Sequence, residues 1–205
     1  MSFRKGAVAA LAATAMLVVA GNAAGSRLSV NERTFNAYWS ELTFRTEGIS
    51  VGCHVYITGS LHAATFAKTR GLLVGYATSG FLPTETCRGT EGARPTPLDA
   101  SLPWHLKYNS FTGTLPRITG LTLDVVGMSF QVTILGVACL YRSTTESPAR
   151  VIANLSAEGT VSSLRADETA RIPSTGGFCP ASGTASGSGE VEVIEFENGM
   201  IVRLI

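Results

Sequence analysis

The stretch ASLPWHLKYNSFTGTLPRITGLTLDVVGMSFQVTILGVACLY, residues 100–141, alternates apolar and polar residues more regularly than any other part of the chain. Its first half places apolar side chains at every second position, namely Leu102, Trp104, Leu106 and Tyr108. Successive side chains of a strand point to opposite faces, so this period of two predicts a β-strand with one buried face. We expect Trp104, Tyr108 and Phe130 to be the large core residues of this stretch.

The second half of the stretch changes its register. Leu121, Leu123 and Val125 are odd-numbered, whereas the apolar positions from Val126 onwards are even-numbered. A regular strand keeps one face towards the core, so residues 125–127 are predicted to contain a bulge or a turn. Gly136 predicts a second irregularity.

Strand-like segments recur along the rest of the chain, between Gly-rich and Pro-rich turns. They cover residues 35–44, 51–63, 72–77, 151–155 and 160–164. Residues 26–33 are expected to be a loose polar start, residues 84–100 a loop, and the Gly-rich residues 174–189 irregular. The Asn198–Gly199 pair, between apolar runs, predicts a terminal hairpin. Many short strands without a convincing amphipathic helix predict an all-β fold, an antiparallel sandwich or a closed barrel.

The N-terminus has the three parts of a secretory signal. Arg4 and Lys5 precede an uncharged apolar run at residues 6–20, and small residues follow at 21–25. The run is shorter than the roughly 20 residues that span a bilayer. We therefore predict a signal peptide at residues 1–24, a single β domain at 25–205, and a secreted or cell-envelope location. An uncleaved anchor is the alternative.

Four cysteines, Cys53, Cys87, Cys139 and Cys179, lie in the predicted mature chain. An exported chain meets an oxidising environment, so two disulfides are expected. Four cysteines allow three connectivities, among which bridges between chain neighbours, Cys53–Cys87 and Cys139–Cys179, are favoured. Zinc binding usually needs closely spaced pairs, which are absent here.

The charge pattern argues against two classes of partner. The chain has 16 basic and 15 acidic residues, without a long run of either sign. Nucleic-acid binding requires a concentrated basic patch, and anionic lipid attracts a polybasic segment. We expect neither partner, and no integral membrane span after signal cleavage.

Motifs for catalysis, cofactors or metals are not recognisable. The nearest look-alike of a nucleophile elbow, residues 183–187, has the wrong spacing. His54 and His62 are too far apart on a straight strand to share a metal unless Gly59 makes a turn, and His105 alternates with polar residues on a solvent face. Glu190 and Glu192 alternate likewise. The sequence therefore predicts no catalytic, cofactor or metal residues; the cysteines are its only special positions.

Three segments resemble a group of small secreted proteins of high-GC Gram-positive bacteria. They are the pattern C-x-V-x-I-x-G-S at residues 53–60, the stretch LPWHLKYNSFTGTLPRIT at 102–119, and C-L-Y at 139–141. The resemblance covers most of the mature chain. It implies export and a β fold, and it supplies no catalytic residues.

These observations leave three functional hypotheses. The first is an exported β-scaffold that acts as a binding or structural module of the cell envelope or exterior. The second is a lipocalin-like barrel that carries a small apolar ligand, in which case a cavity would lie beside Trp104 and Phe130. The third is a hydrolase whose site the sequence does not reveal. An outer-membrane barrel fits the two expected disulfides and the proline-rich loops less well.

Overall fold

The computed structural model describes residues 27–114, 116–134, 136–193 and 199–205. The predicted signal peptide and the first residue of the predicted Asn198–Gly199 turn lie outside these ranges. The described residues form sixteen strands: β1 (Arg27–Val30), β2 (Thr34–Thr46), β3 (Ile49–Leu61), β4 (Thr65–Ala67), β5 (Leu73–Phe81), β6 (Arg88–Gly89), β7 (Arg94–Pro97), β8 (Trp104–Thr112), β9 (Gly120–Val126), β10 (Ser129–Ile134), β11 (Val137–Arg142), β12 (Ala149–Leu155), β13 (Val161–Ala166), β14 (Arg171–Thr175), β15 (Ser182–Glu192) and β16 (Val202–Leu204).

Eight of these strands form a closed antiparallel barrel, in the order β2-β3-β5-β8-β9-β12-β13-β15. Each strand of the barrel pairs with the next barrel strand along the chain, which makes it an up-and-down barrel. The barrel closes where β15 pairs on one edge with β2 and on the other with β13. Of the two predicted architectures, the closed barrel is therefore the one adopted.

The period-two pattern of the sequence places the barrel interior as predicted. Val51 and Cys53 on β3 are buried, as are Trp104, Leu106 and Tyr108 on β8. Their polar neighbours on the same strands face outwards, because a strand with one side in a core must alternate.

The register change at residues 125–127 marks the point where the chain leaves the barrel. Gly127 has a φ of +86° and separates β9, a barrel strand, from β10. Its backbone N–H donates to the carbonyl of Ser143. Gly136, with a φ of +83°, lies between β10 and β11. Both predicted irregularities are confirmed, and glycine suits them because it adopts positive φ without a steric penalty.

Four strands, β7, β10, β11 and β14, form a second sheet, here named the side sheet, which branches from the first half of β15. The rings of Phe44, Phe130 and Tyr141 pack between β2 and this sheet, with centroids 4.7–5.6 Å apart. Phe130 thus belongs to this cluster, so of the two residues expected beside a cavity only Trp104 lines one. Pro95 and Pro97 lie on the terminal strand β7, where the missing N–H of a proline is tolerated.

Three short strands, β16, β1 and β4, form an end sheet that covers one mouth of the barrel. Residues 26–33 were expected to be loose, but Leu28 and Val30 of β1 are buried. Only these two apolar positions alternate with polar residues in β1, which is too short a pattern to predict a strand from the sequence. Towards the C-terminus, Glu192 of β15 pairs with Asn36, and Val202 of β16 pairs with Val30.

The Gly-rich residues 174–189 are more regular than the sequence suggested. Residues 182–192 form β15, the strand that closes the barrel. The prediction of an irregular segment failed because a strand is recognised in a sequence by alternating apolar side chains. This strand has glycine at the positions where rings of the neighbouring strand lie against its backbone, so the apolar half of the alternation is missing.

Both disulfides join the predicted chain neighbours. Cys53 of β3 is bonded to Cys87, and Cys139 of β11 is bonded to Cys179. The first tethers the segment at residues 84–100 to the barrel, and the second lies at the side sheet. Two disulfides indicate that the protein matures in an oxidising environment.

Candidate binding cavity inside the barrel

A cavity of about 100 Å³ lies inside the barrel, at the mouth that the end sheet covers. The inward side chains of the barrel strands form its wall, and Val30, Phe66 and Val202 of the end sheet form its cover. Every lining residue in the described part of the chain is aliphatic, aromatic or methionine. Such a lining favours an apolar guest and disfavours water, which needs two to four polar partners.

A second cavity of about 60 Å³ lies towards the opposite mouth. Four residues line both cavities and so separate them: Trp39, Ile57, Val125 and Val151. Met128, Ala170 and Ile172 line the second cavity away from the first. The two spaces are therefore divided by a wall of side chains, of which the Trp39 indole is the largest.

The two tryptophans of the chain both line the larger cavity, but their N–H groups differ. Trp104 Nε1 donates to Ser101 Oγ at 2.8 Å. Trp39 is only 2% exposed, and its Nε1 has no hydrogen-bond partner among the described residues. A buried donor without an acceptor costs about 1–3 kcal/mol.

Glycines allow the two indoles to lie flat on neighbouring strands. A Cβ at Gly80 would come within 2.6 Å of the Trp104 ring, and one at Gly189 within 2.8 Å of the Trp39 ring. The position of each indole is therefore set by the absence of a side chain on the adjacent strand.

A bridged ion pair lies beside the second cavity. Arg150 Nε donates to Asp124 Oδ1 and Arg150 Nη1 donates to Asp167 Oδ2, both at 3.1 Å. Burial raises the pKa of Asp167, but hydrogen bonds from Thr169 and Arg150 outweigh this effect, so that the pKa of this carboxyl lies below its ordinary value. The group has two carboxylates for one arginine and connects β9, β12 and the turn after β13.

Aromatic rings also occur on the outer face of the barrel. Tyr38, Tyr56 and Phe81 are cross-strand neighbours, with ring centroids 4.7 and 6.1 Å apart. Tyr56 is 43% exposed and Phe81 is 59% exposed. Beside Tyr38 and Tyr56 lies an open cleft of about 570 Å³.

The three histidines lie apart from the interior cavities. His54 lies edge-on to Tyr38, at 6.1 Å, while His62 and His105 lie on either side of Tyr76, at 4.7 and 5.3 Å. His105 is exposed, as predicted. The convergence of His62 and His105 on one tyrosine was not predicted, because it depends on the pairing of β5 with β8.

In the described ranges, no group of three or more His, Cys, Asp or Glu side chains could hold a metal ion. Residues 183–187, the look-alike of a nucleophile elbow, lie within strand β15 and not at a strand-to-helix turn. Glu190 and Glu192 are exposed on the outer face of the same strand.

Sequence reasoning found Trp104 but overlooked Trp39 as a residue of the cavity wall. The apolar parity of residues 35–44 changes from odd to even, and a bulge lies between Trp39 and Leu42. The same kind of parity change correctly indicated the break at residues 125–127. Applied to β2, it would have placed Trp39 and Leu42 on one inward face, and both line the second cavity.

Comparisons with other proteins returned no relatives: no family model matches the chain, and no curated protein or solved structure matches it. None of the helices in the described part is long and apolar enough to cross a membrane.

Proposed function

We propose that this protein is an exported barrel that binds a small apolar ligand in its interior. The observation that carries the proposal is the cavity of about 100 Å³, whose lining among the described residues is apolar throughout and which lies under the end sheet. Proteins of this architecture can hold one small ligand in the barrel. The two disulfides and the signal-like N-terminus support export to the cell envelope or the exterior.

The volume sets the size of the ligand. An engineered apolar cavity of about 150 Å³ in another protein binds benzene. The cavity here has about two thirds of that volume and accordingly suits a smaller ring or short chain of about five carbon atoms. At roughly −0.8 to −1 kcal/mol per heavy atom, the expected binding free energy is about −5 kcal/mol, which corresponds to a Kd of about 0.1–1 mM.

The test uses cyclopentane as the probe, followed by the fluorescence of Trp39 and Trp104 and by the melting temperature. Because a ligand that binds only the folded state stabilises it, a concentration of ten times the Kd should stabilise the protein by about 1.4 kcal/mol. We expect saturable fluorescence changes and a rise in the melting temperature.

Two variants separate interior binding from adsorption to the surface. Ala153 lies in the cavity wall, and Ala153→Leu places three more carbon atoms in the space, so it should abolish binding while the fold persists. Phe81→Ser removes an exposed ring outside the barrel and should leave cyclopentane binding unchanged. Equal binding to wild type and Ala153→Leu, or no binding to wild type, would overturn the proposal.

The row of Tyr38, Tyr56 and Phe81, of which Tyr56 and Phe81 are exposed, supports a second candidate, an outer surface that binds an envelope component. Large exposed aromatic side chains in a contiguous patch mark interaction sites. In that case Phe81→Ser would weaken binding to isolated cell envelopes, whereas Ala153→Leu would not.

A further inference from the structure

Trp39 suggests the chemistry of the ligand. The deduction rests on the proposed interior binding, since it concerns the same cavity. We propose that the ligand carries one acceptor-only oxygen, such as that of a ketone, aldehyde, ester or ether, on an otherwise apolar body, and that Trp39 Nε1–H donates a hydrogen bond to it.

The first step of the argument is the contrast between the two tryptophans. Both indoles line the larger cavity, and Trp104 donates to Ser101 within the protein. Trp39 has no acceptor among the described residues, although it is equally buried. Buried N–H groups are almost always paired in folded proteins, so an orphan beside a cavity indicates a partner that the chain itself does not supply.

The second step concerns access. The Trp39 nitrogen has less than 1 Å² of accessible surface, so an acceptor reaches it only when the indole shifts slightly. The indole lines both interior cavities, so a shift of the ring would bring its N–H to the edge of one of them. Binding should consequently change the environment of Trp39 more than that of Trp104.

The third step narrows the class of acceptor. The described lining of the larger cavity contains no charged side chain, so a carboxylate or phosphate would be buried there without a counter-charge. An alcohol would bring a donor of its own, for which the described lining residues offer no side-chain acceptor. A single water molecule would find one polar partner and is a poor occupant. A carbonyl or ether oxygen needs only the one donor.

The test compares cyclopentanone with cyclopentane, which have nearly the same shape, in the wild-type protein and in Trp39→Phe. The ketone loses more hydration than the hydrocarbon on binding, so the decisive quantity is how the ratio of their dissociation constants changes between the two proteins. We expect Trp39→Phe to weaken the binding of the ketone about tenfold relative to the binding of cyclopentane, which is the effect of one lost hydrogen bond. In Trp104→Phe the dissociation constants of the two ligands should change by the same factor, so that their ratio stays as in the wild-type protein.

A second measurement needs no substitution in the cavity. The chain has two tryptophans and therefore two indole N–H signals in a ¹H–¹⁵N spectrum. Cyclopentanone should move the Trp39 indole proton downfield, as a new hydrogen bond does, whereas cyclopentane should not; the Trp104 signal is identified by its proximity to Ser101, to which that N–H donates. This result remains decisive if Trp39→Phe does not fold.

The outcomes distinguish the two proposals. One outcome is that cyclopentane binds, but the ratio of the two dissociation constants is the same in Trp39→Phe as in the wild-type protein and the Trp39 signal does not respond to the ketone. In that case the interior binding site is retained as a proposal, and the proposed donor role of Trp39 is wrong. If neither probe binds the wild-type protein, the proposed function itself fails.

Discussion

At the scale of single residues, Arg150 holds together three parts of the barrel wall. It bridges Asp124 on β9 and Asp167 after β13, and Asn109 donates a further hydrogen bond to Asp124 at 2.8 Å. Asp167 also accepts from the backbone N–H and the hydroxyl of Thr169. The charged form of the Asp167 carboxylate is therefore stabilised by an arrangement of donors that exists only in the folded chain.

Acid should weaken this arrangement. The pKa of Asp167 is lowered in the folded protein from an ordinary value of 3.8. A group with a lowered folded pKa contributes stability above its unfolded pKa, and this contribution is lost as the pH falls through the folded value. We expect Asp167→Asn to reduce the free energy of unfolding at pH 6 by about 1 kcal/mol and to flatten the decline in melting temperature below pH 4.

The neighbouring Glu168 is exposed and provides a matched control. Melting curves of Glu168→Gln between pH 2 and pH 6 should run parallel to those of the wild-type protein. If Asp167→Asn also ran parallel, the ion pair would contribute nothing to acid sensitivity.

At the scale of elements, β15 determines whether the sheet closes. It pairs with β2 along one edge, and its other edge is shared by β14 and β13. Its glycines allow this close approach: a Cβ at Gly189 would come within 2.5 Å of the Tyr38 carbonyl oxygen and 2.8 Å of the Trp39 ring. Side chains at such positions would force the strands apart.

The substitution Gly189→Ala should therefore destabilise the barrel at its closing pair. Overpacking of this kind typically costs about 1–3 kcal/mol, and the loss would be measured by urea denaturation. Gly177→Ala is the control, because no atom lies within 4 Å of the added methyl group. An equal, small effect of both substitutions would contradict the close packing of β15 on Trp39.

At the scale of the whole molecule, the barrel, the side sheet and the end sheet differ in how they contribute to the enclosure of the cavities. The barrel encloses the apolar cavities, and the side sheet packs on β2 through Phe44. The end sheet supplies Val30, Phe66 and Val202 to the cover of the larger cavity. Its last strand is the C-terminal β16, which pairs with β1.

Removal of the C-terminal strand should open the cavity without removing a barrel strand. In a chain that ends at Gly199, Met200 and Val202 no longer contribute to the lining. We expect a severalfold increase in the fluorescence of bound anilinonaphthalene sulfonate, which reports exposed apolar surface, together with a retained β-type far-ultraviolet spectrum. Deletion of Ile205 alone, which is half-exposed, should change neither. Unaltered dye binding in the longer truncation would show that β16 does not cover the cavity.

Local patterns determined the β class, the inward positions on β3 and β8, and the break at residues 125–127. These follow from the alternation of side chains along a strand, which is a property of neighbouring residues. The favoured disulfide pairing between chain neighbours is also confirmed. Export and ligand binding stay predictions.

Only the tertiary structure decided between sandwich and barrel, because closure depends on which edges meet. Thr43 of β2 pairs with Ser186 of β15, and no local pattern relates positions so far apart in the chain. The same holds for the cavity and for the unpaired Trp39 donor in its wall. Trp39 and Trp104 are equally apolar in the sequence, but only the fold places Ser101 beside the Trp104 indole and leaves the Trp39 indole buried with no acceptor in the described part of the chain.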